Sequence, residues 1–222
     1  MGYPVDRDID RLSRRQCMLG RRPQVRSRLL TAAVLWFAAA VPAWAGGPDV
    51  MAVAFDPQGT LTCADQITAG GDLSVYLLLL DASQPQVSAW ECRLEWDQMG
   101  GTFVGAWELA NNGLNIGDLS DPADLLFAVG TGAQPIATGG VTVLAHWSGL
   151  FLSGSGSRFY LHPYPGTQSF PDEQLPGYAA DAATLVPCQI ASGDESAPVA
   201  LLGSACAGSE DLSWSDVKNR YQ

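Results

Sequence analysis

The chain has 222 residues, with 12 Lys and Arg against 23 Asp and Glu. Eight of the Arg lie before residue 29, so from Gly46 onward four cations face twenty acids, a net charge of −16. That balance argues against nucleic acid and anionic membrane surfaces as partners, and 47% apolar against 16% charged residues excludes a disordered chain.

The first 45 residues read as an address. Arg21, Arg22, Arg26 and Arg28 precede the apolar run Leu29–Val41, and Pro42 leads into Ala43-Trp44-Ala45 before Gly46. This is the basic, apolar and small-residue order of a secretory signal, with cleavage expected after Ala45. Residues 18–45 form the expected signal from Met18, and residues 1–17 an upstream extension from a misassigned start. The run is short for a membrane span and carries no charged stop-transfer flank. Cys17 precedes the apolar run and so is not a lipidated cysteine at the cleavage point. The expected location is outside the cytosol: secreted, periplasmic or on the cell envelope, with no membrane insertion after cleavage.

Residues 46–206 read as short apolar runs separated by Gly, Pro, Asp and Asn. Strands are expected at Val50–Phe55, Asp72–Leu80, Val87–Trp96, Thr102–Leu109, Leu125–Val129, Val141–Leu152, Arg158–His162, Ala183–Val186 and Val199–Leu202. The unbroken run Val75–Leu80 suits a strand buried on both faces. In Val87–Trp96, Trp90, Cys92, Leu94 and Trp96 alternate with Glu91, Arg93 and Glu95, which gives one dry and one wet face. Gly149 is a candidate bulge in Val141–Leu152. Trp107 and Trp147 join Trp90 and Trp96 as expected core residues. The spacing of turn signals predicts an all-β, two-layer antiparallel sandwich of about nine strands. In the tail, 207–222, Ser213-Trp214-Ser215-Asp216 has capping-box spacing, so a short terminal helix is expected.

Removal of the leader leaves Cys63, Cys92, Cys188 and Cys206. An even number in an exported chain reads as two disulfides. Three connectivities are open; tying the two ends of the domain together favours Cys63–Cys206 with Cys92–Cys188. No C-x-x-C pair supports a zinc site.

Catalytic patterns are missing from the sequence. There is no G-x-S-x-G, and the two histidines, His146 and His162, have no metal-site spacing. Glu91 and Glu95 stand about 13 Å apart along one strand, too far for a glycosidase pair. Cofactors are therefore not expected, except that Asp118, Asp121 and Asp124 offer the hard oxygen donors that calcium takes, although Asp121-Pro122 also reads as a turn. The candidate ligand-binding residues are Arg158, Tyr160, His162 and Tyr164. Strand alternation sets them on one face, where tyrosines stack on sugars and Arg and His supply hydrogen bonds. Phe170 adds a further aromatic in the following loop. The reading set against it, and preferred because aromatics dominate cores, is that these side chains cover the core beneath that loop.

Ala52-Val53-Ala54-Phe55-Asp56-Pro57-Gln58-Gly59, Val87-Ser88-Ala89-Trp90-Glu91-Cys92, the segment from Pro163 to Asp172 and Trp214-Ser215-Asp216-Val217-Lys218 resemble a group of uncharacterised exported bacterial proteins. Their domain is similar to the cohesin and carbohydrate-binding-module type of Ig-like sandwich. The resemblance implies an exported, non-enzymatic interaction, adhesion or envelope-associated module with a protein or glycan partner. The alternative is a carbohydrate-binding module acting through Tyr160–Tyr164.

Overall fold

The computed structural model describes residues 49–136, 140–166 and 174–206. The expected signal, its upstream extension, Phe170 and the terminal helix lie outside the described residues. Thirteen strands occur among those described: β1 (Val50–Ala54), β2 (Cys63–Ala64), β3 (Gly71–Leu80), β4 (Gln86–Asp97), β5 (Thr102–Leu109), β6 (Leu114–Asn115), β7 (Asp124–Pro135), β8 (Val141–Ser153), β9 (Gly156–His162), β10 (Gly177–Ala179), β11 (Leu185–Pro187), β12 (Gln189–Ile190) and β13 (Ala200–Gly203). Nine correspond to the expected runs. The additional four, β2, β6, β10 and β12, are two or three residues long and carry no readable period of their own.

Two sheets form the sandwich. The first runs β12-β1-β3-β8-β5. The second is organised around the long β4. One edge of β4 takes β7, and β6 beyond it; along the other edge β10 pairs with Ala89–Glu91 and β9 with Arg93–Asp97. β11 continues outward from β10, and β13 then β2 from β9. Pairing is antiparallel except at two short edges, β1 with β12 and β13 with β2.

The alternation of β4 sends Trp90, Cys92, Leu94 and Trp96 into the core, each no more than 2% exposed. Trp96 is the aromatic centre, with ring centroids 4.8 Å from Phe103, 5.0 Å from Phe159 and 5.2 Å from Trp147. Val75–Leu80 is apolar without a break because β3 is dry on both sides. Val75, Leu77 and Leu79 belong to the core between the sheets, while Leu78 and Leu80 form a second cluster with Val50, Ala52 and Ala54. Gly59 lies against that second cluster: a Cβ there would stand 3.1 Å from Leu78 Cδ1.

Gly149 is not the bulge. The β3–β8 register shifts between Leu77 and Leu78, which pair with Ala145 and Val143 and leave Leu144 as the extra residue. Leu144 and Ala145 consequently both enter the core. Gly149 instead faces Gly105 across β5–β8. A Cβ on Gly149 would fall 2.3 Å from the Val104 carbonyl and 2.6 Å from the Trp147 ring, so the two glycines make room for an indole laid flat under the strands.

Cys63 and Cys206 are joined, Cα to Cα 5.7 Å, across 143 residues. The expected partner bridge does not form: Cys92 and Cys188 are buried thiols. Glu91 pairs with Gly177, and Gly177 with Pro187. One step on, the Cys188 N–H donates to the Pro176 carbonyl. β10 thus runs between β4, which carries Cys92, and β11, which Cys188 follows. Burial pushes both thiols well above the usual range.

Candidate functional site

The outer face of the second sheet divides along β4 into an ionic half and an apolar half. In the ionic half, β9 buries Ser157, Phe159 and Leu161 and turns Arg158, Tyr160 and His162 outward. The register sets them beside Asp97, Glu95 and Arg93 of β4. Alternation therefore brings Arg158, Tyr160 and His162 to one face as expected; half-buried Tyr164 lies past the end of β9.

This face is a lattice of charge pairs. Arg93 forks onto Asp124 of β7, Nε to Oδ1 at 2.6 Å and Nη2 to Oδ2 at 3.2 Å. It also stands 3.9 Å from Glu95. The Asp124 hydrogen bond raises the Arg93 pKa further above its already high value. Arg158 reaches Asp97 at 3.7 Å. His162 lies between two carboxylates, Nε2 at 3.3 Å from Glu95 and Nδ1 at 3.7 Å from Glu195; the Glu95 contact lacks hydrogen-bond geometry. The Tyr160 and His162 rings are 6.5 Å apart and inclined by 21°. Arg158 and His162, expected to hydrogen-bond a sugar, thus already face carboxylates of this protein. His146, on the other sheet, stacks flat on Tyr76 at 4.4 Å.

The three expected calcium ligands do not converge. Asp118 Oδ1 accepts the Ser120 N–H at 2.8 Å, which holds its carboxyl below the usual range. Asp121 Oδ1 accepts the Ala123 N–H at 2.9 Å, and Asp124 belongs to Arg93. Each aspartate caps a turn or an arginine. Among the described residues, no group of three His, Cys, Asp or Glu side chains is placed to hold a metal ion. Asn115 ties the same loop to β7 through Ala128 N–H and the Leu126 carbonyl.

The apolar half was not expected from the sequence. One transverse row runs Leu114–Gly130–Ala89–Ala179–Leu185 through β6, β7, β4, β10 and β11. The neighbouring row runs Ala128–Glu91–Gly177–Pro187, and the Ile116 N–H bonds to the Ala128 carbonyl. Glycine and alanine on the three central strands make a floor, and large aliphatics stand at both ends. The result is a trough of about 360 Å³. Its walls are open to solvent: Ile116 is 81% and Leu185 39% exposed, and Leu114, beside Gly130 in the register, is 70% exposed. Glu91, expected on a wet face, is buried at 7% in this floor. Small outward residues on three separate strands give no signal until pairing brings them into one row.

No family model matches the chain, and no curated protein matches its sequence. Among solved structures, it is similar to the sixth cohesin of scaffoldin B from Acetivibrio cellulolyticus, crystallised with a mutant Cel5 dockerin, at 14% identity over 65% of this chain and 94% of that one, with a TM-score of 0.43. A type II cohesin domain from the cellulosome of the same organism is 10% identical over 71% of this chain and 96% of that one, also at 0.43. The cohesin module of a family 33 glycoside hydrolase from Clostridium perfringens is 9% identical over 64% and 91%, again at 0.43. Likeness at this level transfers neither a site nor a partner.

Proposed function

We propose that the chain is an exported, non-enzymatic interaction module that binds a protein partner through a sheet face. The observation that carries this reading is the placement of exposed large aliphatics. Ile116 and Leu185 border the trough, with Leu114 on the adjoining β6, while Val104, Leu150 and Leu152 share the outer face of β5–β8. Contiguous exposed apolar surface on a domain of this net charge is what a partner covers. Export is supported by the leader-like first 45 residues and by the Cys63–Cys206 bridge. The histidines support a non-catalytic reading, since one is stacked on a tyrosine and the other is enclosed by carboxylates.

A carbohydrate-binding face at Arg158, Tyr160, His162 and Tyr164 is the second reading. The near-parallel Tyr160 and His162 rings on an open sheet face favour it. A broad glycan screen separates the two. The interaction reading expects no glycan whose binding disappears in Tyr160→Ala with Tyr164→Ala. A glycan bound by the parent and lost in that double variant would move the assignment to carbohydrate.

A further inference from the structure

We infer that the trough on the second sheet takes a segment of another protein in which aliphatic side chains adjoin Lys or Arg; this deepens the interaction reading and rests on it. The shape selects the aliphatic part. Gly130, Ala89 and Ala179 leave a floor without side-chain relief, and Ile116 and Leu185 stand up around it, with Leu114 next to Gly130 across β6–β7. No aromatic side chain forms an exposed wall, so stacking on a sugar ring has no support here.

Charge selects the rest. The lining includes Asp181 and Glu91 and no cation. Exposed Asp118 and Asp121 follow Ile116 in the next turn. The nearest cation on β4, Arg93, is held by Asp124. A second copy of this chain brings only four cations against twenty acids after residue 45, so it complements this rim poorly. The chain's own tail, residues 207–222, is net acidic as well, with Glu210, Asp211 and Asp216 against Lys218 and Arg220.

The test places a photo-crosslinking amino acid at Ile116, at Val104 on the other sheet and at Tyr160 in the ionic half, singly, in the full chain within the cells that produce it. The expected result is protein adducts from position 116 that map, by mass spectrometry, to segments with aliphatic residues next to Lys or Arg. Those adducts should fall at least about tenfold when Ala89→Trp fills the floor, and likewise with Leu114→Asp, a change at a 70% exposed side chain that folding tolerates. Adducts from 116 that ignore both changes, or that map to segments lacking cations, overturn the inference. Adducts only from 104 or 160 overturn it and leave the interaction reading standing. Adducts from none of the three positions remove both.

Discussion

Replacing both Cys63 and Cys206 with alanine tests how the domain is closed. The bridge spans 143 residues, nearly the whole sandwich. In the chain-entropy model a loop of that size stabilises the fold by about 5 kcal/mol, because the unfolded chain loses that much freedom. Whole-domain stabilities run from about 5 to 15 kcal/mol, so the loss is a large share of the total. The native contacts at the bridge are slight by comparison: β2 pairs with β13 through only Cys63–Leu201 and Ala64–Leu202. Urea unfolding followed by tryptophan fluorescence gives the answer, since Trp90, Trp96 and Trp147 are all buried. The double variant should unfold at much lower urea, with a steeper slope because its unfolded chain exposes more surface. A loss below about 1 kcal/mol, with an unchanged slope, would refute the claim that this crosslink constrains the unfolded state.

The remaining expectations are as follows. Gly149→Ala sets a Cβ against the main chain of Val104 and Gly105, so it should cost about 2–3 kcal/mol of stability in the same urea assay. Tyr178 donates a 2.7 Å hydrogen bond to buried Asp49, and Tyr178→Phe should cost about 1.5–3 kcal/mol. Burial first, and then the Asp49 bond, pushes the Tyr178 pKa from 10 up to about 12. Its stabilising contribution is therefore full below pH 10 and is lost as pH climbs toward 12, so alkaline unfolding in that window should weaken in the Phe variant. Asp118, Asp181 and Asp194 are held below the ordinary carboxylate range chiefly by backbone N–H groups, of Ser120, of Ala183 and Thr184, and of Ser196 respectively. What they contribute is present above that range and lost as pH falls through it, so backbone amides of these three turns should gain exchange in acid before those of β4. Cys92 and Cys188 should ignore a thiol reagent in the native protein and give two reactive thiols in denaturant without reductant; none would restore a second bridge.

How much the sequence reveals depends on whether a signal is local. Period-two alternation located β4 to within a residue at each end, because its core-facing tryptophans and outward charges reverse at every step. The same alternation correctly grouped Arg158, Tyr160 and His162. It could not show that Asp97, Glu95 and Arg93 would stand opposite them, because cross-strand neighbours depend on register rather than on spacing. Asp118, Asp121 and Asp124 show the reverse. They cluster along the chain, yet in the fold two Asx turns and Arg93 each engage one of them separately. Cys92 and Cys188 were a plausible pair by parity alone; β10, which the sequence did not announce, runs between β4 and β11, and both stay thiols.

The division of one sheet face suggests that its halves act on different parts of a binding event. Exposed ion pairs such as Arg158–Asp97 and Arg93–Glu95 contribute little stability, about 0.2–1 kcal/mol each, and are weakened by salt. Their surplus of carboxylates instead acts at a distance: it draws a cationic segment toward the face and orients it before contact. The trough acts after contact, where burying aliphatic surface is worth about 25 cal/mol per Å² and does not depend on ionic strength in the same way. Neutralising Glu95 of the ionic half should therefore slow association with the crosslinked segment, prepared as a synthetic peptide, and flatten its salt dependence while leaving dissociation nearly unchanged. Ile116→Ser should do the opposite, speeding dissociation at any salt. Surface plasmon resonance at two ionic strengths resolves both rates, and a single common effect of the two substitutions would show that the face works as one undivided surface.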